Sequence, residues 1–310
     1  MSNNNKLFDV IGFGALNVDT LLKVDRIAGP EEESFIENYS ESCGGSAANT
    51  IVGLARLGRK VGFVGKIADD HEGKLQLDNF INDGVDIKGI IHSKKGKSGA
   101  VIGFVDKRGA RALYINPGEN DTLESREIDL EYVAQAKFLH ISSFVGERPF
   151  RAQKKLAGML PDSIKLSFDP GALYAQRGIV AIEPLIRSSY VFMPNNLELE
   201  QLTGEKDYRK GADTILEMGV KIVAVKLGAK GCYVTDGQEQ VTIDAFPVKV
   251  LDTTGAGDAF DAGFLYGLLD NKNNLYECGR LGNFVASKSV TANGARTGLP
   301  YQKELSYNFS

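Results

Sequence analysis

The chain has 310 residues, of which 43% are hydrophobic and 25% charged, and its formal net charge is -4. A chain of this size and mix buries a substantial core, as an ordinary soluble globular protein does, and its slight acidity argues against nucleic-acid binding as the main business. Cys43, Cys232 and Cys278 stand far apart, as do His71, His92 and His140. Neither a disulfide framework nor a zinc site is therefore expected, and a reducing, cytoplasmic setting fits better. The polar start "MSNNNKLFDV" lacks a core of signal length, and no apolar run reaches the ~18 residues of a membrane span.

Residues 8–19, "FDVIGFGALNVD", predict a buried strand and a polar turn, and "VDTLLKVDRI" and "SFIENYSES" predict short strands with much exposed surface. "SAANTIVGLARLG" (46–58) reads as a helix stopped at Gly58. "KVGFVGKIA" follows as a strand, and "DDHEGKLQLDNFINDG" as a helix begun by Asp69 or Asp70. The stretch 97–117 is β-rich, with a hairpin turn at Lys107-Arg108-Gly109. Beyond it strands and helices take turns. "KFLHISSF", "IKLSFDPG", "SYVFMPN" and "KIVAVKLG" predict strands, and "RPFRAQKKLAGML", "LELEQLTG" and "YRKGADTILEMG" predict helices. More strand is expected over 231–252, then helices over 258–270 and 275–294. Such alternation implies an α/β fold with a mainly parallel sheet. Residues 17–42 and 97–117 break the alternation and predict a small β-sheet lid inserted into one domain spanning 1–310.

Two glycine motifs mislead. "GFGALN" begins like a dinucleotide fingerprint, but Asn17 stands where the third glycine is required. "GKSG" at 96–99 resembles the end of a P-loop, yet Ile91 occupies the place of its first glycine and a strand follows instead of a helix.

"LDTTGAGDAF" (251–260) is the informative stretch. A strand ending near Asp252 and a helix starting near Gly257 would leave the amides of Gly255, Ala256 and Gly257 pointing outward, backed by the helix dipole. That is an anion site. Asp258 at the same helix start is held beside the anion and aimed at another group. The arrangement suits phosphoryl transfer, with amides on the migrating group and a carboxylate on the attacking hydroxyl. A plain turn in which Asp258 only caps its helix has the same sequence.

"DTTGAGDAFDAGFL" resembles the C-terminal signature of the ribokinase family, the phosphofructokinase-B type of carbohydrate kinases, and "GGSAANTIVGLARLG" at 44–58 resembles the N-terminal one. The resemblance runs from about residue 8 to 300. It implies a three-layer α/β/α sandwich with a lid sheet, and a kinase that uses ATP and Mg²⁺ to phosphorylate a hydroxymethyl group of a small sugar. It assigns Asp258 as catalytic base and Gly255, Ala256 and Gly257 as the anion hole. Asp19, Gly44, Gly45 and Asn49 match positions that hold sugar hydroxyls; an aspartate accepts two hydroxyl bonds and paired glycines let a ring approach. Asn195 and Glu198 of "PNNLELE" match the element that organises Mg²⁺ through its waters, though helix capping explains them equally. Lys226, Gly228, Gly231 and Asn283 match positions near the nucleotide. Asp252, Thr254, Ser289, Ala292 and Gly294 match loops that supply a K⁺ site in many members, and a homodimer through the lid sheet is implied as well.

The sequence also departs from ribokinases. Ser142 and Ser143 stand where those that handle ribose carry a glutamate, which puts ribose in doubt as the acceptor. Arg108 and Arg111 on the lid hairpin read either as a solvated sheet edge or as partners of a phosphate or carboxylate on the acceptor. Phe35, Tyr39, Phe104 and Tyr114 leave a nucleoside open. An inert sugar-binding protein on the same fold is the remaining alternative.

Overall fold

The computed structural model describes residues 6–270 and 274–306. β1 (Phe8–Phe13), β2 (Asn17–Val24) and β3 (Ile36–Gly44) are followed by α1 (Ser46–Arg56), β4 (Val61–Ala68), α2 (His71–Asn82) and β5 (Ile90–Ser93). β6 (Gly99–Val105) and β7 (Arg111–Asn116) form a hairpin. Then come α3 (Leu130–Val133), β8 (Ala136–Ile141), α4 (Glu147–Ala157), β9 (Lys165–Phe168), α5 (Gly171–Arg177), α6 (Ile179–Ser188) and β10 (Ser189–Phe192). α7 (Asn196–Thr203), α8 (Tyr208–Glu217), β11 (Ile222–Lys226), β12 (Cys232–Thr235) and β13 (Gln240–Ile243) precede α9 (Ala256–Leu269), α10 (Leu275–Ser289) and α11 (Gln302–Ser306).

The large sheet has nine strands in the order β13-β12-β11-β10-β9-β8-β1-β4-β5. Only the pairings of β11 with β12 and β12 with β13 are antiparallel. Its strands are apolar on both faces because each face is covered. Side chains alternate along a strand, so Val10, Phe63, Val191 and Ala224 join one core with α1, α9 and α10. Ile11, Val64, Phe192 and Val223 join the other with α4, α6, α7 and α8. The result is the expected α/β/α layering.

A separate four-stranded sheet, β3-β2-β6-β7, stands outside these layers. Its register puts Asp19 beside Ser42 and Val101, and Val101 beside Ile115. Leu21 and Leu113 therefore share the face of Asp19, whereas Tyr39, Phe104 and Tyr114 belong to the opposite face. The hairpin turns where expected: Asp106 accepts from the amides of Arg108 and Ala110, both at 2.9 Å, and Gly109 has φ 83°.

Three expectations need correction. No strand reaches Asp252: β13 is the sheet edge, and residues 244–250, with Pro247 unable to donate to a ladder, take no regular structure. The following helix begins at Ala256 because Gly255, left-handed at φ 74°, is its N-cap. The late helix ends at Ser289, not at 294, where the chain turns back toward Asp252. The pair α5 and α6, split at Gly178 (φ 80°), was not expected from the sequence.

Asp70 ties the second sheet to the first. It caps α2 by accepting from Gly73 N at 2.9 Å, and it accepts from Ser98 N at 2.8 Å and Ser98 Oγ at 2.6 Å at the entry to β6. Burial opposes its charge, but the Ser98 and Gly73 hydrogen bonds outweigh burial and hold the carboxyl below its ordinary range. Asp70→Ala is expected to lower unfolding free energy at pH 7 by about 1–2 kcal/mol in urea titration. A depressed folded value means this contribution is present above the unfolded value of about 3.9 and fades as pH falls through the folded one. An unchanged urea midpoint would show the tie to be redundant.

Candidate active site

Two helix N-termini meet at Asp258. It lies in the first turn of α9, where the dipole favours a carboxylate. Its Oδ1 accepts from Ser46 Oγ at 2.5 Å and its Oδ2 from Asn49 Nδ2 at 2.8 Å, both from the first turn of α1. Thr50 Oγ1 adds a bond to the Asp258 carbonyl at 3.1 Å. Burial pushes the Asp258 carboxyl up, against the opposing pull of the Ser46 and Asn49 bonds. A carboxylate so placed is more basic than an ordinary aspartate, while its two donors favour the charged form.

On one side lie the residues that the sequence linked to sugar hydroxyls. Gly44 closes β3 against Asp19, so tightly that a Cβ there would sit 2.6 Å from Asp19 Oδ2. Gly45, at φ 104°, starts α1, and a Cβ would fall 2.1 Å from the Ala15 carbonyl oxygen. The glycine pair is thus needed for close approach and for backbone shape together. Burial raises the Asp19 carboxyl to about 6, with Arg296 pulling the other way. Asp19, Gly44, Gly45 and Asn49 therefore come together as expected.

On the other side is a cavity of about 480 Å³ lined by Lys226, Gly228, Gly231 and Asn283 together with Ala256 and Gly257. Its walls include Ala245, Phe246, Val248, Val250 and Phe260. All four positions expected near a nucleotide thus share one cavity with two of the anion-hole residues. Asn283 Nδ2 donates to the carbonyls of Ile243 (3.0 Å) and Asp244 (3.1 Å). The expected trio of outward amides is incomplete, because Ala256 N donates to the Thr253 carbonyl at 3.1 Å. Gly257 lies so close to Lys226 that a Cβ would be 3.4 Å from its Nζ.

Asn195 and Glu198 form a reciprocal capping box on α7, Asn195 Oδ1 accepting at 2.9 Å and Glu198 Oε2 at 2.8 Å. Burial lifts the Glu198 carboxyl to about 7, assisted by the charge of Asp169 and opposed by Lys226. Asp252 joins the two loops that the sequence linked to a monovalent ion. Its Oδ1 accepts from Thr254 N (3.0 Å) and Oγ1 (2.7 Å), and its Oδ2 from Gly294 N (2.8 Å). Ser289 Oγ turns inward to the Ala286 carbonyl at 2.9 Å, and Ala292 N donates to the Ser289 carbonyl at 3.4 Å. Among the described residues no group of three or more His, Cys, Asp or Glu side chains is placed to hold a metal directly.

Sequence reasoning missed the environment of Lys226. Its ammonium is buried between Asp169 Oδ2 at 2.8 Å and Asp261 Oδ1 at 3.3 Å. Burial opposes charge on Asp169, but Lys226 overcomes it and holds the carboxyl low; burial prevails at Asp261, pushing it well up. Asp261 Oδ2 is buried with no hydrogen-bond partner among the described residues, which is why burial weighs so heavily on this carboxyl. Its signal was a carboxylate one turn beyond Asp258 in an otherwise apolar helix. Also missed were Ser46 and Arg296, which donates to Asn49 Oδ1 at 2.8 Å.

The structure does not bring Arg108 to this site. Its guanidinium forks onto Asp106 at 3.1 and 3.2 Å and is 85% exposed. It lies beyond Val105, four residues along β6 from the level of Asp19, or ~13 Å. Arg111 starts β7 opposite Val105, and its side chain lies outside the described residues. Ser142 is buried, and its Oγ accepts from Ala47 N at 3.0 Å.

The model of the pfkB family carbohydrate kinases matches residues 8–302. An uncharacterized sugar kinase of Archaeoglobus fulgidus is 43% identical over 249 residues, 80% of this chain and 98% of that protein. An ATP-dependent ribose-1-phosphate kinase of Halopiger xanaduensis is 32% identical over 256 residues, 83% of each chain. The crystal structure of a ribokinase from Thermotoga maritima superposes with a TM-score of 0.87 at 30% identity, covering 97% of this chain and 98% of that one. Among the described residues no helix is long and apolar enough to cross a membrane. Fold, match and cavity agree: the chain belongs to the PfkB family of carbohydrate kinases, phosphotransferases that act on an alcohol group.

Proposed function

We propose that this kinase transfers the γ-phosphoryl group of ATP to a hydroxymethyl group of a small sugar, with Asp258 as the base. The observation that carries the reading is the place of Asp258, a half-buried carboxylate between the proposed acceptor end at Asp19 and Asn49 and the cavity lined by Gly257, Lys226 and Gly228. The acceptor oxygen forms its bond to the γ-phosphorus as the bond to the β-γ bridging oxygen breaks. Its proton goes to Asp258, and ADP leaves. In a loose transition state that proton need move only late, so a modestly basic carboxylate suffices. The amides of Gly255 and Gly257 face the migrating group, with the α9 dipole behind them.

The donor set fits Mg²⁺ held through its waters: Glu198 is a buried carboxylate poised near neutrality beside Asp169 and Asp258, and Asn195 fixes its orientation. Bound there, the ion would neutralise charge on the phosphates. Backbone oxygens of the loops joined by Asp252 would hold K⁺. Closure of the smaller sheet over the acceptor would exclude water, a competing acceptor. Leu21, Leu113 and Ile115 on the Asp19 face of that sheet are 38%, 55% and 54% exposed, an apolar surface suited to pairing with a second copy.

The Halopiger relative supports a second acceptor class, the sugar phosphates. A nucleoside has less support, since Tyr39, Phe104 and Tyr114 lie on the sheet face opposite Asp19.

Asp258→Asn is expected to lower kcat about 10²–10⁴-fold in an ADP-release assay with Mg²⁺ and K⁺; activity near that of the unmodified protein would sink the assignment. In the same assay neutral sugars should exceed sugar phosphates, sugar acids and nucleosides, and Arg108→Gln should leave that order intact. A preference for phosphorylated acceptors that Arg108→Gln abolishes would establish the second reading instead. The donor base meets mostly apolar walls, and the Asn283 amide is already committed to backbone. GTP should therefore support kcat/KM within about tenfold of ATP, the worth of one hydrogen bond; a preference of several hundredfold would place a base-reading group in the cavity.

A further inference from the structure

Arg296, in the turn after α10, is 6% exposed. Among the described residues no carboxylate forms an ion pair with it. Its partners are neutral: Nε donates to Asn49 Oδ1 at 2.8 Å, Nη2 to the Gly44 carbonyl at 3.0 Å and to Gln76 Oε1 at 3.4 Å, and Nη1 to Asn79 Oδ1. A buried cation whose hydrogen-bond partners are all neutral is costly even with the charges of Asp83 and Asp19 nearby, so its retention calls for a reason beyond packing.

The reason lies in the polarity of Asn49. An amide side chain presents either its oxygen or its nitrogen to a neighbour, and only the surroundings decide which. A guanidinium has no acceptor, so the oxygen of Asn49 must face Arg296. The nitrogen must then face Asp258, where it donates at 2.8 Å. The chain Arg296–Asn49–Asp258 thus runs in one direction only. The same guanidinium holds the carbonyl of Gly44, whose Cα packs on the Asp19 carboxylate.

We propose that Arg296 is a positioning residue for phosphoryl transfer, keeping a donor rather than a carbonyl oxygen against Asp258 and keeping the Gly44 backbone against Asp19. The proposal rests on Asp258 being the base. Without the guanidinium, Asn49 is free to turn its oxygen toward Asp258 whenever that carboxyl is protonated, accepting from its O–H and so stabilising the protonated form. The other groups facing Asp258 are Ser46 from α1, Asp261 from α9, Asp169 after β9, Glu198 from α7 and Lys226 from β11. None of them contacts Arg296, so their influence stays as it is when Arg296 changes.

The test is a double-mutant cycle of Arg296→Met and Asn49→Ala, with kcat, KM and pH profiles for each protein and Asp258→Asn alongside. Arg296→Met should lower kcat about 10–100-fold and move the acid limb of kcat/KM up by about one pH unit. The double variant should be no worse than the poorer single one, because both changes break one chain. Arg296→Lys, which keeps a buried donor and charge, should recover about tenfold of the lost kcat. Effects that multiply in the double variant, or a lower melting temperature with an unmoved acid limb, would overturn the proposal and leave Arg296 a structural residue. If Arg296→Met does not fold, the acid limb of Arg296→Lys decides in the same way: it should move up, by less than one unit. An active Asp258→Asn would instead remove the base on which the proposal stands.

Discussion

The site depends on the convergence of α1 and α9 at their N-termini. Asp258 is the joint, accepting from Ser46 and Asn49 across more than 200 residues of chain. Such a joint needs two helices in close contact, and small residues permit it: a Cβ on Gly53 of α1 would come within 2.8 Å of the Ala262 Cβ on α9. The apolar side chains of both helices lie in one core against the large sheet, so the helix starts are held by packing over their whole length. On the proposed reading, the acceptor end and the nucleotide cavity then lie on either side of one carboxylate. The Gly-rich turn supplies the backbone shape on one side, and the Gly44–Gly45 pair supplies it on the other.

Charge is concentrated around this joint. Asp169, Glu198, Asp258 and Asp261 face a single ammonium, that of Lys226. Four carboxylates gathered round one cation raise one another's proton affinity, and burial adds to this most where a carboxyl is deepest. Burial pushes Asp261 well up and Glu198 up to about 7, while Lys226 holds Asp169 low. Lys226 therefore supports the floor of the cavity more than it offers a free charge to an incoming phosphate. On the proposed reading, the remaining negative charge suits a nucleotide that arrives with its own cation. His140, buried and bonded through Nδ1 to Ser167 Oγ at 3.0 Å, adds no charge, since burial lowers it to about 4.

Periodicity made the layers legible, because strands buried on both faces read as continuous apolar runs and the helices alternate with them. The β-rich insert was visible for the opposite reason: its strands keep one wet face. Local chemistry marked the Asp258 turn, since only small residues and a helix start give that stretch its composition. What stayed hidden depended on contacts between distant segments. Nothing local distinguishes Arg296 in "NGARTG" from a surface arginine, and nothing local tells that Lys226 meets Asp169. The expected strand into Asp252 failed because an apolar alternating run also suits an edge segment that lines a cavity without a partner strand.

The acceptor end shows why a family is easier to read than a substrate. Of the two serines expected in place of a glutamate, Ser142 is committed to the Ala47 amide at the start of α1, and neither Ser142 nor Ser143 presents a carboxylate. On the proposed reading, discrimination among acceptors falls on Asp19, the Gly44 backbone and the face of the smaller sheet that bears Leu21, Val101 and Leu113. Near Asp19 that face offers its carboxylate and several apolar groups, with Lys23 farther along the strand. A carboxylate accepts from almost any vicinal pair of hydroxyls, and apolar groups impose shape without direction. Selectivity built this way comes from excluded volume when the sheet lies over the acceptor, a property of the assembled surface that no single residue type announces.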